Sequence, residues 1–158
     1  DSRSIKDHLP VFVERFNAKK ENPSVDQGLK TYYDFFDFAT NGVKPADFIL
    51  IAGESGFGKS LLLNNFAVQT WLQSTSIDSP GQIGKNVIYF SLEMPYDDCF
   101  MRFLARLSGV PSRNIENSRL SKEEFAKVKK ALDFIKTYPY DFKIVDIADA
   151  SANDIENI

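Results

Sequence analysis

Apolar positions set the rhythm of this chain. Over residues 7–18, Leu9, Phe12, Val13 and Phe16 fall at helical spacing, and Pro10 comes early enough for a first turn to tolerate it. The polar stretch at 19–24 reads as a linker. Residues 32–39 are dense in aromatics and predict a short helix, closed by a turn at Asn41-Gly42 ahead of Pro45 and Asp47. Phe48-Ile49-Leu50-Ile51-Ala52 is a continuous apolar run bounded by Asp and Gly, the pattern of a strand buried on both faces. Residues 59–73 place Leu61, Leu62, Leu63, Phe66, Val68, Trp71 and Leu72 around most of a helix, which predicts burial. A loop rich in Ser, Gly and Pro follows at 74–84, then a second buried strand, Val87-Ile88-Tyr89-Phe90.

Pro95 opens the next predicted helix, and Gly109 and Pro111 mark its far end. Ser121-Lys122-Glu123-Glu124 has the spacing of a capping box. The helix behind it aligns Phe125, Val128, Leu132 and Ile135 and stops before Pro139, and Phe142-Lys143-Ile144-Val145 predicts a third strand. Ser151 and Asp154 repeat the capping spacing, so a further helix is expected from Ala152, about two turns before the last residue, Ile158. That pattern predicts a fragment of a longer protein.

Composition narrows the class. The 158 residues carry no repeat of 20–50 residues and suit one domain. With 43% hydrophobic and 13% aromatic residues the chain has material for a core, which excludes disorder. A net charge of −3 argues against coating nucleic acid by bulk charge. No run approaches the roughly 18 apolar residues of a membrane span, and the first residues lack a signal-peptide stretch. A lone Cys99 fits a reducing compartment, and a lone His8 leaves no His/Cys metal cluster. These features describe a soluble intracellular α/β protein.

The strongest chemical signal is Gly53-Glu54-Ser55-Gly56-Phe57-Gly58-Lys59-Ser60, which fits the phosphate-binding loop G-x-x-x-x-G-K-[ST]. Glycines let the backbone curl so that successive N–H groups surround an anion, and the following helix aims its positive end at the same place. Lys59 can reach the β- and γ-phosphates and the Ser60 hydroxyl can ligate Mg²⁺. The apolar run before the loop and the helical pattern behind it supply the context that the motif requires. The alternative, a glycine turn with a solvated lysine, does not explain those flanks.

Ser91-Leu92-Glu93-Met94 directly follows the second apolar run. Ligands of parallel α/β sheets gather at the carboxyl ends of strands. Glu93 can therefore stand by the loop and activate water, or it can simply cap the helix that Pro95 opens.

Together these stretches resemble the motor domain of DnaB-like replicative DNA helicases. The resemblance rests on the phosphate loop between strand and helix, on Val87 through the S-L-E-M stretch, and on Met101-Arg102-Phe103-Leu104-Ala105-Arg106-Leu107-Ser108. Gly42-Val43-Lys44-Pro45-Ala46-Asp47 is similar to the family's turn before its first strand, Asn117-Ser118-Arg119-Leu120 to the approach to its Glu-rich helix, and residues 151–158 to its next helix start. It spans residues 27–158. It implies a RecA-like P-loop NTPase core, with a mostly parallel sheet flanked by helices, incomplete at the C-terminus. It further implies ATP and Mg²⁺ as cofactors, Lys59 and Glu93 as catalytic residues, and Ser60 as a metal ligand. A homo-hexamer on single-stranded or forked DNA, with a primase or loader as possible partner, in the cytoplasm of a bacterium or phage-infected host, completes what it implies. Residues 1–26 would be a linker helix and its polar connection, docking on an adjacent subunit or packing on their own domain.

Departures from the family pattern are instructive. Glu54-Ser55-Gly56-Phe57 stands where cellular members usually carry an Arg-Pro-Ser-Met type sequence, and residues 74–85 look longer than usual, as in a divergent, phage-type member. The family's Walker B strand, DNA loops and arginine finger fall beyond the equivalent of Ile158. Other RecA-like ATPases, of recombinase or clock type, and a non-hydrolysing oligomerisation module are the competing readings. Arg102 and Arg106, i and i+4 on the helix after Glu93, can face a neighbouring subunit or a nucleotide, but such arginines are more often in solvent or paired with acids such as Asp97 and Asp98. Lys127, Lys129 and Lys130 are expected on a solvated helix face, with DNA contact the alternative, and Phe35, Phe36 and Phe38 in a core, with stacking on adenine the alternative.

Overall fold

The computed structural model describes residues 4–22, 28–73, 75, 77–78 and 84–147. Contacts divide the chain into two units, Asp1–Phe48 and Ile49–Ile158.

In the first unit, helix α1 (Ile5–Glu21) starts where the Ser4 hydroxyl accepts the Lys6 N–H, with Asp7 in its first turn and Lys19 and Lys20 in its last. These charges complement the helix dipole. The helix extends beyond the predicted residues 7–18 and buries none of its side chains. Helix α2 (Asp34–Thr40) is tied to the preceding loop by Asp37, whose carboxylate accepts from the Thr31 N–H, the Thr31 hydroxyl and the Tyr32 N–H. The chain then turns through Asn41 and Gly42, both at positive φ, and an antiparallel bridge joins Leu29 to Val43. The expected burial of the Phe cluster is not found. Phe35 and Phe38 are 87% and 92% exposed, because a seven-residue helix offers one narrow inner face and both rings lie off it.

The second unit holds α3 (Lys59–Leu72), β1 (Val87–Ser91), α4 (Tyr96–Ser108), α5 (Ser112–Glu116), α6 (Lys122–Thr137) and β2 (Phe142–Asp146). β1 and β2 pair in parallel, from Val87 opposite Phe142 to Ser91 opposite Asp146. The connection between them runs through three helices, as a parallel pair requires. The α4 boundaries follow the predicted Pro and Gly, with Gly109 at φ 69° closing the helix. The capping box forms as read: Ser121 Oγ accepts the Glu124 N–H while Glu124 accepts the Ser121 N–H.

Trp71 is the centre of the core, with the rings of Phe103, Phe134, Tyr138 and Phe142 around it at 4.7–6.2 Å. Its indole N–H donates to the Tyr140 carbonyl, and the Tyr138 hydroxyl donates to the carbonyls of Trp71 and Leu72. The C-terminal turn of α3 is thereby locked to the chain between α6 and β2. That lock fixes the axis of a helix whose other end begins at the phosphate loop.

Three further expectations change. Residues 48–52 form no strand: Phe48 and Leu50 are 88% and 77% exposed, and no strand among the described residues pairs with them. Apolar content makes that segment competent for a sheet, but pairing needs a neighbour. α3 is buried only from Asn64 onward, with Leu61 and Leu63 exposed. On α6 the buried stripe is Val128, Ala131 and Phe134, continued by Tyr138, while Phe125 is exposed. Leu132 and Ile135 pack half-buried against the core beside that stripe as expected, so of the expected face Phe125 alone lies outside. Most of the loop at 74–84 and the helix expected from Ala152 lie outside the described residues.

Candidate nucleotide-binding site

The loop Gly53–Ser60 turns on two glycines. Gly56 and Gly58 adopt φ of +83° and +79°, a region that costs other L-residues about 1–2 kcal/mol. A Cβ at either position would meet nothing within 4 Å, so the requirement is conformational and not one of space. Gly58 is also the N-cap of α3 and brings no side chain to cap it. The first-turn N–H groups of α3 are thus left to an outside acceptor, and an anion suits them in both hydrogen bonding and charge. Lys59 Nζ donates to the carbonyls of Gly53 and Glu54 at 2.8 and 2.7 Å, which holds the ammonium against the loop's own backbone.

A cavity of about 480 Å³ joins this loop to residues distant in sequence. Ser55, Gly56, Gly58, Lys59, Ser60 and Leu61 form one wall, and Glu93, Arg102 and Ser112 complete it. Gly53, Glu54 and Phe57 are not among its walls; the first two act through the carbonyls that hold Lys59, and Phe57 is 78% exposed. The volume suits a nucleotide-sized ligand. Two cations, a hydroxyl and uncapped helix amides fit a polyphosphate, and the Ser60 hydroxyl fits a hard cation such as Mg²⁺.

Glu93 occupies the turn between β1 and α4, and it is exposed. Its turn is closed by Ser91, whose hydroxyl donates to the Met94 carbonyl at 2.7 Å and accepts the Met94 N–H at 3.1 Å. Pro95, the N-cap of α4, offers no side-chain acceptor, and Asp146 Oδ2 on β2 accepts the Tyr96 N–H at 3.0 Å in its place. Beneath this turn, burial pushes the Tyr89 phenol above its ordinary value, reinforced by Cys99 and opposed by Arg102.

Arg102 is exposed, in line with the solvated reading. Arg102 makes no ion pair among the described residues and lines the same cavity as Lys59 and Glu93. Arg106 lies elsewhere, beside Lys127 and Lys130 around a second cavity, where Lys130 pairs with Asp78 and Lys127 with Glu123. His8 sits on α1, and no cluster of three potential metal-binding side chains occurs among the described residues. No helix among them is long and apolar enough to cross a membrane.

Residues 28–158 match the family described as the DnaB-like helicase C-terminal domain. The chain belongs to that family. It is 30% identical over 123 residues to the replicative DNA helicase DnaB of Pasteurella multocida, covering 77% of this chain and 24% of that protein. The corresponding helicase of Haemophilus influenzae is 29% identical over 120 residues, again with 24% of its length covered. The chain therefore spans about a quarter of the relatives it matches. Among solved structures, one described as an ATPase domain superposes with a TM-score of 0.76 at 23% identity, covering 99% of this chain and 51% of that one. A DnaB-like replicative helicase described with its primase interactions gives 0.73, also at 23%, covering 99% and 34%. These likenesses establish the RecA-like α/β fold.

Proposed function

We propose that this chain is the nucleotide-binding part of an ATP-driven replicative DNA helicase motor. The observation that carries the reading is the single cavity shared by the phosphate loop, Glu93 and Arg102. In this reading the first-turn amides of α3 and Lys59 hold the β- and γ-phosphates, and Ser60 supplies a ligand to Mg²⁺. Arg102 adds a second positive charge against the phosphates. Glu93 accepts a proton from the water that attacks the terminal phosphorus. Bound Mg²⁺-ATP supplies the phosphoanhydride whose hydrolysis drives movement. Hydrolysis at the interfaces of a hexamer, coupled to travel along single-stranded or forked DNA, follows from the family. So do a further metal-site acid, an arginine from a neighbouring subunit and DNA-gripping loops supplied by other parts of the protein, with a primase or loader as partner and a bacterial or phage-infected cytoplasm as setting.

Residues 1–26 are assigned to a linker helix and its connection. The apolar stripe of α1 supports a second copy as its partner: Phe12 and Phe16 stack at 6.4 Å and are about 60% exposed. The test of the whole reading is strand displacement on a forked duplex by the intact gene product. Wild type should unwind with ATP and Mg²⁺ and Lys59→Ala should not; ATP-independent unwinding, or none by an actively ATP-hydrolysing wild type, would refute it.

A further inference from the structure

The geometry points to Ser91 and Asp146 as positioning residues for Glu93, an inference that rests on the catalytic reading of Glu93 above. The two face each other on the last rung of the β1–β2 ladder, and the Ile147 N–H extends that rung by donating to the Ser91 carbonyl at 3.0 Å. From this one rung both ends of the Glu93 turn are held. Ser91, buried at 6% exposure, closes the near end through its two hydrogen bonds to the Met94 backbone. Asp146 holds the far end through the Tyr96 N–H.

The chemistry explains why a second strand is needed. A helix normally satisfies its first N–H groups with the side chain of its own N-cap. Pro95 cannot do so, so the start of α4 is free to shift unless an acceptor arrives from elsewhere. A carboxylate suits that place in charge as well as in hydrogen bonding. Its source is β2, whose register against β1 is fixed by five paired residues. The turn carrying Glu93 is therefore referenced to the sheet at both ends, while Glu93 itself makes no ion pair among the described residues. A general base must be placed within hydrogen-bond reach of the water it activates, and small misplacements are costly in rate.

The experiment is steady-state ATP turnover of the intact gene product, with binding of a fluorescent ATP analogue measured on the same preparations. Asp146→Ala and Ser91→Ala should each lower kcat by about tenfold, with KM and analogue affinity within about twofold of wild type. Asp146→Asn keeps an oxygen acceptor for the Tyr96 N–H and should recover most of the turnover. Unchanged kcat in both alanine variants overturns the proposal, and so does a parallel loss of binding and turnover, which would mark a purely structural role. Glu93→Gln run alongside separates the two readings: if it turns over normally, the catalytic role of Glu93 falls, whatever the other variants do.

Discussion

Lys59, Glu93 and Arg102 reach one cavity from three places, the start of α3, the end of β1 and the second turn of α4. The roles proposed for them differ, so their losses should differ. Glu93→Gln should leave nucleotide affinity intact and cut turnover by about 10²–10⁴-fold, read by phosphate release. Arg102→Ala should instead weaken affinity, by about tenfold or more, since a charge-assisted hydrogen bond is worth roughly 1.5–3 kcal/mol. A titration of each variant with a fluorescent ATP analogue distinguishes the two patterns. At this scale much of the site is legible in the sequence. The loop is a local motif whose eight residues specify their own backbone, and Glu93 follows an apolar run whose end it marks. Arg102 is harder because its neighbours on α4 do not reveal which face turns to the loop. The Asp146 contact is beyond reach, since 50 residues separate it from Tyr96 and only strand register brings them together.

At the scale of elements, the caps are readable and the faces are not. The capping box of α6 is the clearest case. Glu124 accepts the Ser121 N–H and, from α5, the Asn114 amide, and these donors hold its carboxyl below the ordinary value of 4.5. Because the folded value is the lower one, the box stabilises above the unfolded value and loses its contribution as pH falls through the folded value. Ser121→Ala should cost about 1 kcal/mol near neutral pH, measured by urea denaturation. For Glu124→Ala, the gap from wild type should be open at neutral pH and narrow as pH falls below the ordinary value of 4.5 and through the folded one. A gap that widens toward acid would contradict the assigned role. The α6 stripe, by contrast, is read only in part: Val128, Leu132 and Ile135 reach the core, but Phe125 looks like a core residue and is exposed, while the small Ala131 is fully buried. Residues 48–52 read as a buried strand from apolarity alone; composition records what a segment can bury and not whether a partner strand is present.

For the whole molecule, the order of elements along the chain places the candidate site at one end of a packed unit and anchoring at the other. Trp71 and Tyr138 lock the C-terminal turn of α3, and the phosphate loop stands at the opposite terminus of the same helix. The other unit presents α1, whose stripe has its own consequence. Phe12→Asp together with Phe16→Asp should lower self-association of the intact protein in sedimentation, with little change in nucleotide affinity. Equal association would remove α1 from the list of interfaces.

The central claim is that the loop at Gly53–Ser60 is a phosphate site in this folded chain. Its most direct measurement is Mg²⁺-dependent binding of a fluorescent ATP analogue to wild type and to Lys59→Ala, with circular dichroism confirming that both are folded. The account predicts saturable binding by wild type, lost in Lys59→Ala. Binding of equal strength by the variant, or none by the folded wild type, would contradict it.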